Sequence, residues 1–284
     1  MKTKTYILSS LILCGVLFAG SLYAQWNIIN PGTTERLNTV NIINENNMLA
    51  GGKNGILLHS ENSGLNWNFV SVSTDLNIND IGFFDSNTGY LMGEDGLFMQ
   101  TINGGSSWTQ FPTGSMAEYE SIAVLDQNTV IGCGDNGTIL KTSDGGNTFS
   151  VIPSGTNVLL HKVFFTDALS GYAVGELGTL IKSTDGGESW VPVETSTTAE
   201  LNNIQFSPSG TGIICGANGL ILKSDFGGEG WSSKNVSLND DLFGLAHQGN
   251  QNWYAVGNDG AVMKSEDNGE TWITEFSPTT LRLA

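Results

Sequence analysis

A chain of 284 residues with 39% apolar side chains can bury a large core, and its 37 glycines point to many tight turns between short strands. Twenty-eight acidic against eleven basic side chains give a net charge of −17. Such a surface repels nucleic acid and anionic lipid, and it excludes neither a protein partner nor a neutral one.

The first 24 residues read as an export signal. Lys2 and Lys4 form a basic start, YILSSLILCGVLFAG is an apolar run, and SLYA ends on a small residue, so cleavage is expected after Ala24. A lipoprotein signal would use Cys14, but bulky Leu13 precedes it and apolar sequence continues beyond. No later segment is apolar and long enough to span a membrane as a helix. Cleavage leaves 9 basic and 28 acidic side chains, a net charge of 9 − 28 = −19.

From residue 25 to 284 one unit recurs. Its clearest part is a Gly-rich turn ending on an aromatic residue: SENSGLNW, TINGGSSW, TSDGGNTF, STDGGESW, SDFGGEGW and SEDNGETW. The final residues Trp67, Trp108, Phe149, Trp190, Trp231 and Trp272 stand 41 apart, and one step back from Trp67 lands on Trp26. Other columns share the period. Leu37, Ile78, Tyr119, Leu160, Leu201 and Leu242 each open a short apolar segment. Next come two glycines three apart, such as Gly175 and Gly178, often with Asn-Gly or Asp-Gly inside; this suits a primed hairpin turn.

Each unit therefore predicts four strands: a (LNNIQF), b (TGIICG), c (GLILKS) and d (WSSKNV), with no helical periodicity. Strands such as GTLIKS are apolar at consecutive positions, so both faces are covered. The expected fold is all-β, a single β-propeller of six four-stranded blades with strand a innermost. Trp26 adds one outer N-terminal strand that helps close the ring; seven blades is the alternative. Cys133 and Cys215 fall in the same column of non-adjacent repeats and are expected to be buried, unbonded thiols.

The c–d turn of each unit resembles the Asp-box, or BNR, repeat of the sialidase-type propellers. In that resemblance Gly64, Gly105, Asp144, Gly146, Asp185, Gly187, Gly228, Asp267 and Gly269 are structural turn residues. Asn62 and Asn103 replace the aspartate in the first two copies, and Phe226 replaces it in the fifth. The aromatic column Trp67, Trp108, Phe149, Trp190, Trp231 and Trp272 is expected to pack on the blades. GELGTLIKSTDGGESW and GDNGTILKTSDGGNTF make the chain similar to the photosystem II stability/assembly factor family. That similarity implies an exported, non-enzymatic propeller that binds other proteins during assembly. The family carries an arginine-rich patch that this chain lacks, since its mature part has only two arginines, Arg36 and Arg282, one near each end.

A glycosidase or carbohydrate-binding propeller is the second reading. Two arginines cannot form a sialidase's three-arginine clamp, and the carboxylate pairs Glu94/Asp95, Glu118/Glu120 and Asp240/Asp241 sit on turns or at strand starts, where solvated acids are ordinary. His59, His161 and His247 occupy three different columns, so neither a metal site nor a cofactor is expected. Lys141, Lys182, Lys223 and Lys264 form a column on strand c, read as stems covering a blade or as a contact stripe.

Function is expected on the face shared by the b–c turns and d–a loops, because the Asp-box turns occupy the other. Glu94, Asp95, Asp135, Glu176 and Asp259 belong to the b–c turns, and Asp75, Glu118, Glu194, Glu200, Asp240 and Asp241 to the d–a loops. This acidic face around the channel, on a monomer, is the expected surface for a protein partner with basic segments.

Overall fold

The computed structural model describes residues 29–249 and 251–283; the export signal and Trp26 lie outside the described residues. Six four-stranded antiparallel sheets, each in a–b–c–d order, stand round one axis. Their inner strands are Leu37–Ile42, Ile78–Phe83, Tyr119–Val124, Leu160–Phe165, Leu201–Phe206 and Leu242–Gln248. Blade 4 shows the pattern: strand a is followed by b (Gly171–Gly175), c (Leu180–Ser183) and d (Val191–Pro192). Strand b is buried throughout, which explains its lack of alternation. Strand d is only two or three residues long in every blade, so each sheet offers a short outer edge.

Neighbouring blades hold together in three layers. The apolar layer is shared: Ile131, Cys133 and Ile139 of blade 3 pack against Leu160, Val163, Ala173, Ile181 and Trp190 of blade 4. Burying each large side chain there stabilises the ring by about 1.5–3 kcal/mol. Both free cysteines are buried in this layer, and burial pushes their thiols well up. Nearer the axis, asparagines on strand a clamp the next blade's backbone. Asn41 donates to the Ile81 carbonyl at 3.0 Å, Asn202 to Leu242 at 2.8 Å and Asn203 to Phe243 at 2.9 Å.

Further out, three of the four strand-c lysines reach the following blade. Lys141 Nζ lies 2.6 Å from Glu188, Lys182 Nζ lies 2.7 Å from Glu229, and Lys223 pairs with Glu270, each acid standing on the next blade's c–d turn. The heads of Lys141, Lys182 and Lys223 are therefore tied down between blades, and Lys264 pairs with Glu266 of its own blade, so the column is not a free stripe.

Inner strands of consecutive blades pack side by side from blade 1 to blade 6, but no comparable packing joins blade 6 back to blade 1 among the described residues. At that seam the repeat columns run on. Leu283, 41 residues after Leu242, is buried against Val256 and Val262 and donates its N–H to the Gly257 carbonyl at 2.8 Å. On the other flank, Leu37 and Val40 of blade 1 are half-buried, whereas Leu160 and Val163, their equivalents in blade 4, are buried.

No α-helix occurs among the described residues, and no helix there is long and apolar enough to cross a membrane. The b–c turns are primed turns. In blade 3, Asn136 and Gly137 have φ of 53° and 67°, and the Thr138 N–H donates to the Asp135 carbonyl at 2.9 Å. The first glycine of each Gly-x-x-Gly has a different reason. Gly134 is extended, but a Cβ there would collide with the Glu118 carbonyl where the start of strand a crosses it.

Candidate functional site at the channel mouth

Two sets of loops are pinned to opposite faces by backbone hydrogen bonds. On the upper face the first residue of every b–c turn donates to the residue just before strand a: Lys53 to Arg36, Glu94 to Asn77, Asp135 to Glu118, Glu176 to Leu159, Ala217 to Glu200 and Asn258 to Asp241, all at 2.9–3.1 Å. On the lower face the c–d turns bond the a–b loops, as Gly186 N–H does to the Leu169 carbonyl at 2.9 Å.

The lower face carries the Asp-box. In blade 4 the Ser183 hydroxyl accepts the Gly187 N–H at 2.9 Å and donates to Asp185 at 2.8 Å. The same carboxylate accepts the Ser189 N–H at 3.0 Å and the Ser189 hydroxyl at 2.6 Å. The serine hydroxyl leads a set of hydrogen bonds that hold the Asp185 carboxyl down to about 2. Asp144 and Asp267 make the same bonds with Thr148 and Thr271. Gly64, Gly105, Gly146, Gly187, Gly228 and Gly269 all lie at φ between 81° and 97°. The aromatic column does more than the packing expected of it. The indole N–H groups of Trp67, Trp108, Trp231 and Trp272 also donate to the glycine carbonyl three residues back, at 3.0–3.2 Å. Trp190, Trp231 and Trp272 are buried; Trp67, Trp108 and Phe149 are half-buried.

The upper face surrounds a channel of about 920 Å³ lined by the inner strands. Its middle holds an ion pair that links four blades. Asp80 accepts from Lys162 at 2.8 Å, from the Thr39 and Ser121 hydroxyls at 3.0 Å each, and from the Ile122 N–H at 3.1 Å. Around the mouth stand Arg36, Lys53, Glu118, Glu120, Glu200 and Arg282, with His161. Glu118 accepts from Asn79 at 3.1 Å. His161 Nε2 lies 2.9 Å from Glu200, within ion-pair reach but off the line of a hydrogen bond. Burial pulls the imidazole's pKa down against the upward pull of Glu200 and Glu176. Burial, reinforced by Glu118 and Asp135, pushes the Glu120 carboxyl up. The Arg282 guanidinium lies over the Phe243 ring, 3.6 Å from its centroid.

Of the acidic residues expected on the face around the channel, Glu118 and Glu200 line the channel itself. Glu94, Asp95, Asp135, Glu176 and Asp259 stand on the b–c turns and Asp240 and Asp241 on the last d–a loop, but none of these seven lines the channel. Asp95, Glu176 and Asp259 are exposed, and the other four are half-buried. Glu94 accepts the Asn77 N–H at 3.1 Å and Asp241 the Asn218 N–H at 2.9 Å, so both brace loops. The channel lining instead mixes both signs, and it includes both arginines. A signal for this was present: 282 − 36 = 246 residues is six periods of 41, so both occupy one repeat column. Among the described residues no group of three His, Cys, Asp or Glu side chains is placed to hold a metal ion.

Residues 65–154 and 152–245 match the family model described as photosynthesis system II assembly factor YCF48. No match is found among curated protein sequences. A structure of YCF48 bound to a D1 peptide superposes with a TM-score of 0.73 at 23% identity, covering 86% of this chain and 82% of that one. YCF48 from Cyanidioschyzon merolae gives 0.72 at 15% identity, covering 86% and 87%. The GH74 xyloglucanase from Xanthomonas campestris gives 0.68 at 14% identity, covering 84% of this chain and 45% of that one.

Proposed function

The chain belongs to the YCF48 photosystem II assembly factor family, and from that premise we propose that it is an exported, non-enzymatic propeller that binds a protein partner as an assembly or stability factor. The observation that carries this reading is a likeness spanning most of both chains to a propeller solved with a peptide bound. The likeness to the xyloglucanase takes in less than half of that enzyme. Export, to the periplasm or outside the cell, is supported by the basic-then-apolar start before Ala24.

The partner surface is the upper face, where the b–c turns gather Glu94, Asp95, Asp135 and Glu176. Its loops differ from blade to blade, while the Asp-box face repeats one hydrogen-bonded turn. An acidic surface selects basic segments, and exposed charges lose their reach beyond roughly 8 Å at physiological salt.

The test is affinity capture from the envelope fraction, repeated with Glu94, Asp95, Asp135 and Glu176 all changed to their amides. Retention that falls with added salt and in the amide variant is expected. Retention indifferent to both would overturn the placement on this face. Recovery of the protein from the cytoplasmic fraction would overturn the export reading.

A further inference from the structure

Nine lysines and arginines lie among the described residues of a chain whose net charge is −17. Six of them, all lysines, are each paired with a carboxylate. The three with no carboxylate partner among the described residues are Arg36, Lys53 and Arg282, and all three line the same channel mouth. In so acidic a chain, cations scattered for solubility would find carboxylates, as the other six do. The backbone bond from the Lys53 N–H to the Arg36 carbonyl, at 2.9 Å, sets those two residues side by side as it does their counterparts in every blade, while the Arg282 guanidinium is steadied on the Phe243 ring.

The same mouth carries Glu118, Glu120 and Glu200 on blades 3 and 5. Glu120 makes no hydrogen bond or ion pair with any described residue, and none of the three acids lies within the 4.0 Å ion-pair distance of the three cations. The two signs thus share one opening and attract one another across it without closing into direct ion pairs. Walls of low dielectric focus the field of both sets into the opening. A guanidinium pair presents forked donors suited to a carboxylate, and the glutamates suit an ammonium or guanidinium.

We propose that the channel mouth is a charge-sorted receptor for a peptide segment that carries both signs, its carboxylate seated on Arg36, Lys53 and Arg282 and its basic side chain on Glu118, Glu120 and Glu200. This rests on the protein-binding reading and narrows it, since a purely basic segment would satisfy half of the mouth. Single-sign segments leave one wall facing solvent, and segments with the two signs set apart along the chain bridge both.

The test uses fluorescein-labelled, end-capped decapeptides on a Gly/Ser frame, carrying two aspartates, two lysines, both pairs or neither. Binding is read by anisotropy to the mature chain and to its double variants Arg36→Gln/Arg282→Gln and Glu120→Gln/Glu200→Gln. The mixed peptide is expected to bind at least tenfold tighter than either single-sign peptide. The arginine variant should bind mixed and lysine-only peptides alike, and the glutamate variant mixed and aspartate-only peptides alike. Matching melting temperatures establish that the variants are folded. A single-sign peptide bound as tightly as the mixed one, or wild-type discrimination in both variants, overturns the inference. If partner capture succeeds while no peptide is discriminated, the protein-binding reading stands and this inference alone falls.

Discussion

Leu177 is the residue whose replacement should stabilise the ring. It holds the first central position of the blade 4 b–c turn at φ 54°, in the left-handed region. The same position is Asn54, Asp95, Asn136, Asn218 or Asp259 in the other blades, at φ between 51° and 56°. A left-handed backbone costs an ordinary L-residue about 1–2 kcal/mol, and asparagine recovers much of it through local hydrogen bonding. The leucine side chain is 69% exposed, so removing it forfeits little burial. Leu177→Asn should therefore gain about 1 kcal/mol, and the reverse change Asn136→Leu in blade 3 should lose a similar amount. In a chain of this size 1 kcal/mol moves the melting temperature by roughly 2–4 °C. Urea unfolding with an unchanged slope and a shifted midpoint assigns the change to stability rather than to altered compactness. If Leu177→Asn fails to raise the midpoint while Asn136→Leu fails to lower it, turn strain is not what separates blade 4 from the rest.

Two further outcomes concern the Asp-box. Gly187 lies at φ 81°, and its Cβ would run into the Ile131 methyl and within 3.5 Å of Phe165, so Gly187→Val should cost about 2–4 kcal/mol from left-handed strain and overpacking together; an unchanged melting temperature would refute the turn geometry. The Asp185 carboxyl is held at about 2, below its value of roughly 3.9 in an unfolded chain. Its contribution is therefore complete above pH ~4 and lost as pH falls toward 2, so Asp185→Asn should flatten the pH dependence of melting in that window and leave its slope above pH 5 unchanged.

Everything that repeats is legible along the chain. The 41-residue columns specify four strands per unit, and the Asn-Gly and Asp-Gly pairs specify primed turns, because each needs only residues close in the chain. The aromatic and glycine columns likewise mark the Asp-box turn, whose hydrogen bonds span no more than six residues. The tertiary structure decided how unlike residues in different units meet. Lys223 and Glu270 join blades 5 and 6, Asp80 and Lys162 meet across the channel from blades 2 and 4, and Arg36 and Arg282 arrive at one opening from the two ends of the chain. A period states that two residues hold equivalent places on the ring. Only the curvature of the ring, set by how each blade's apolar face seats on the next, decides which of those places face one another across the axis.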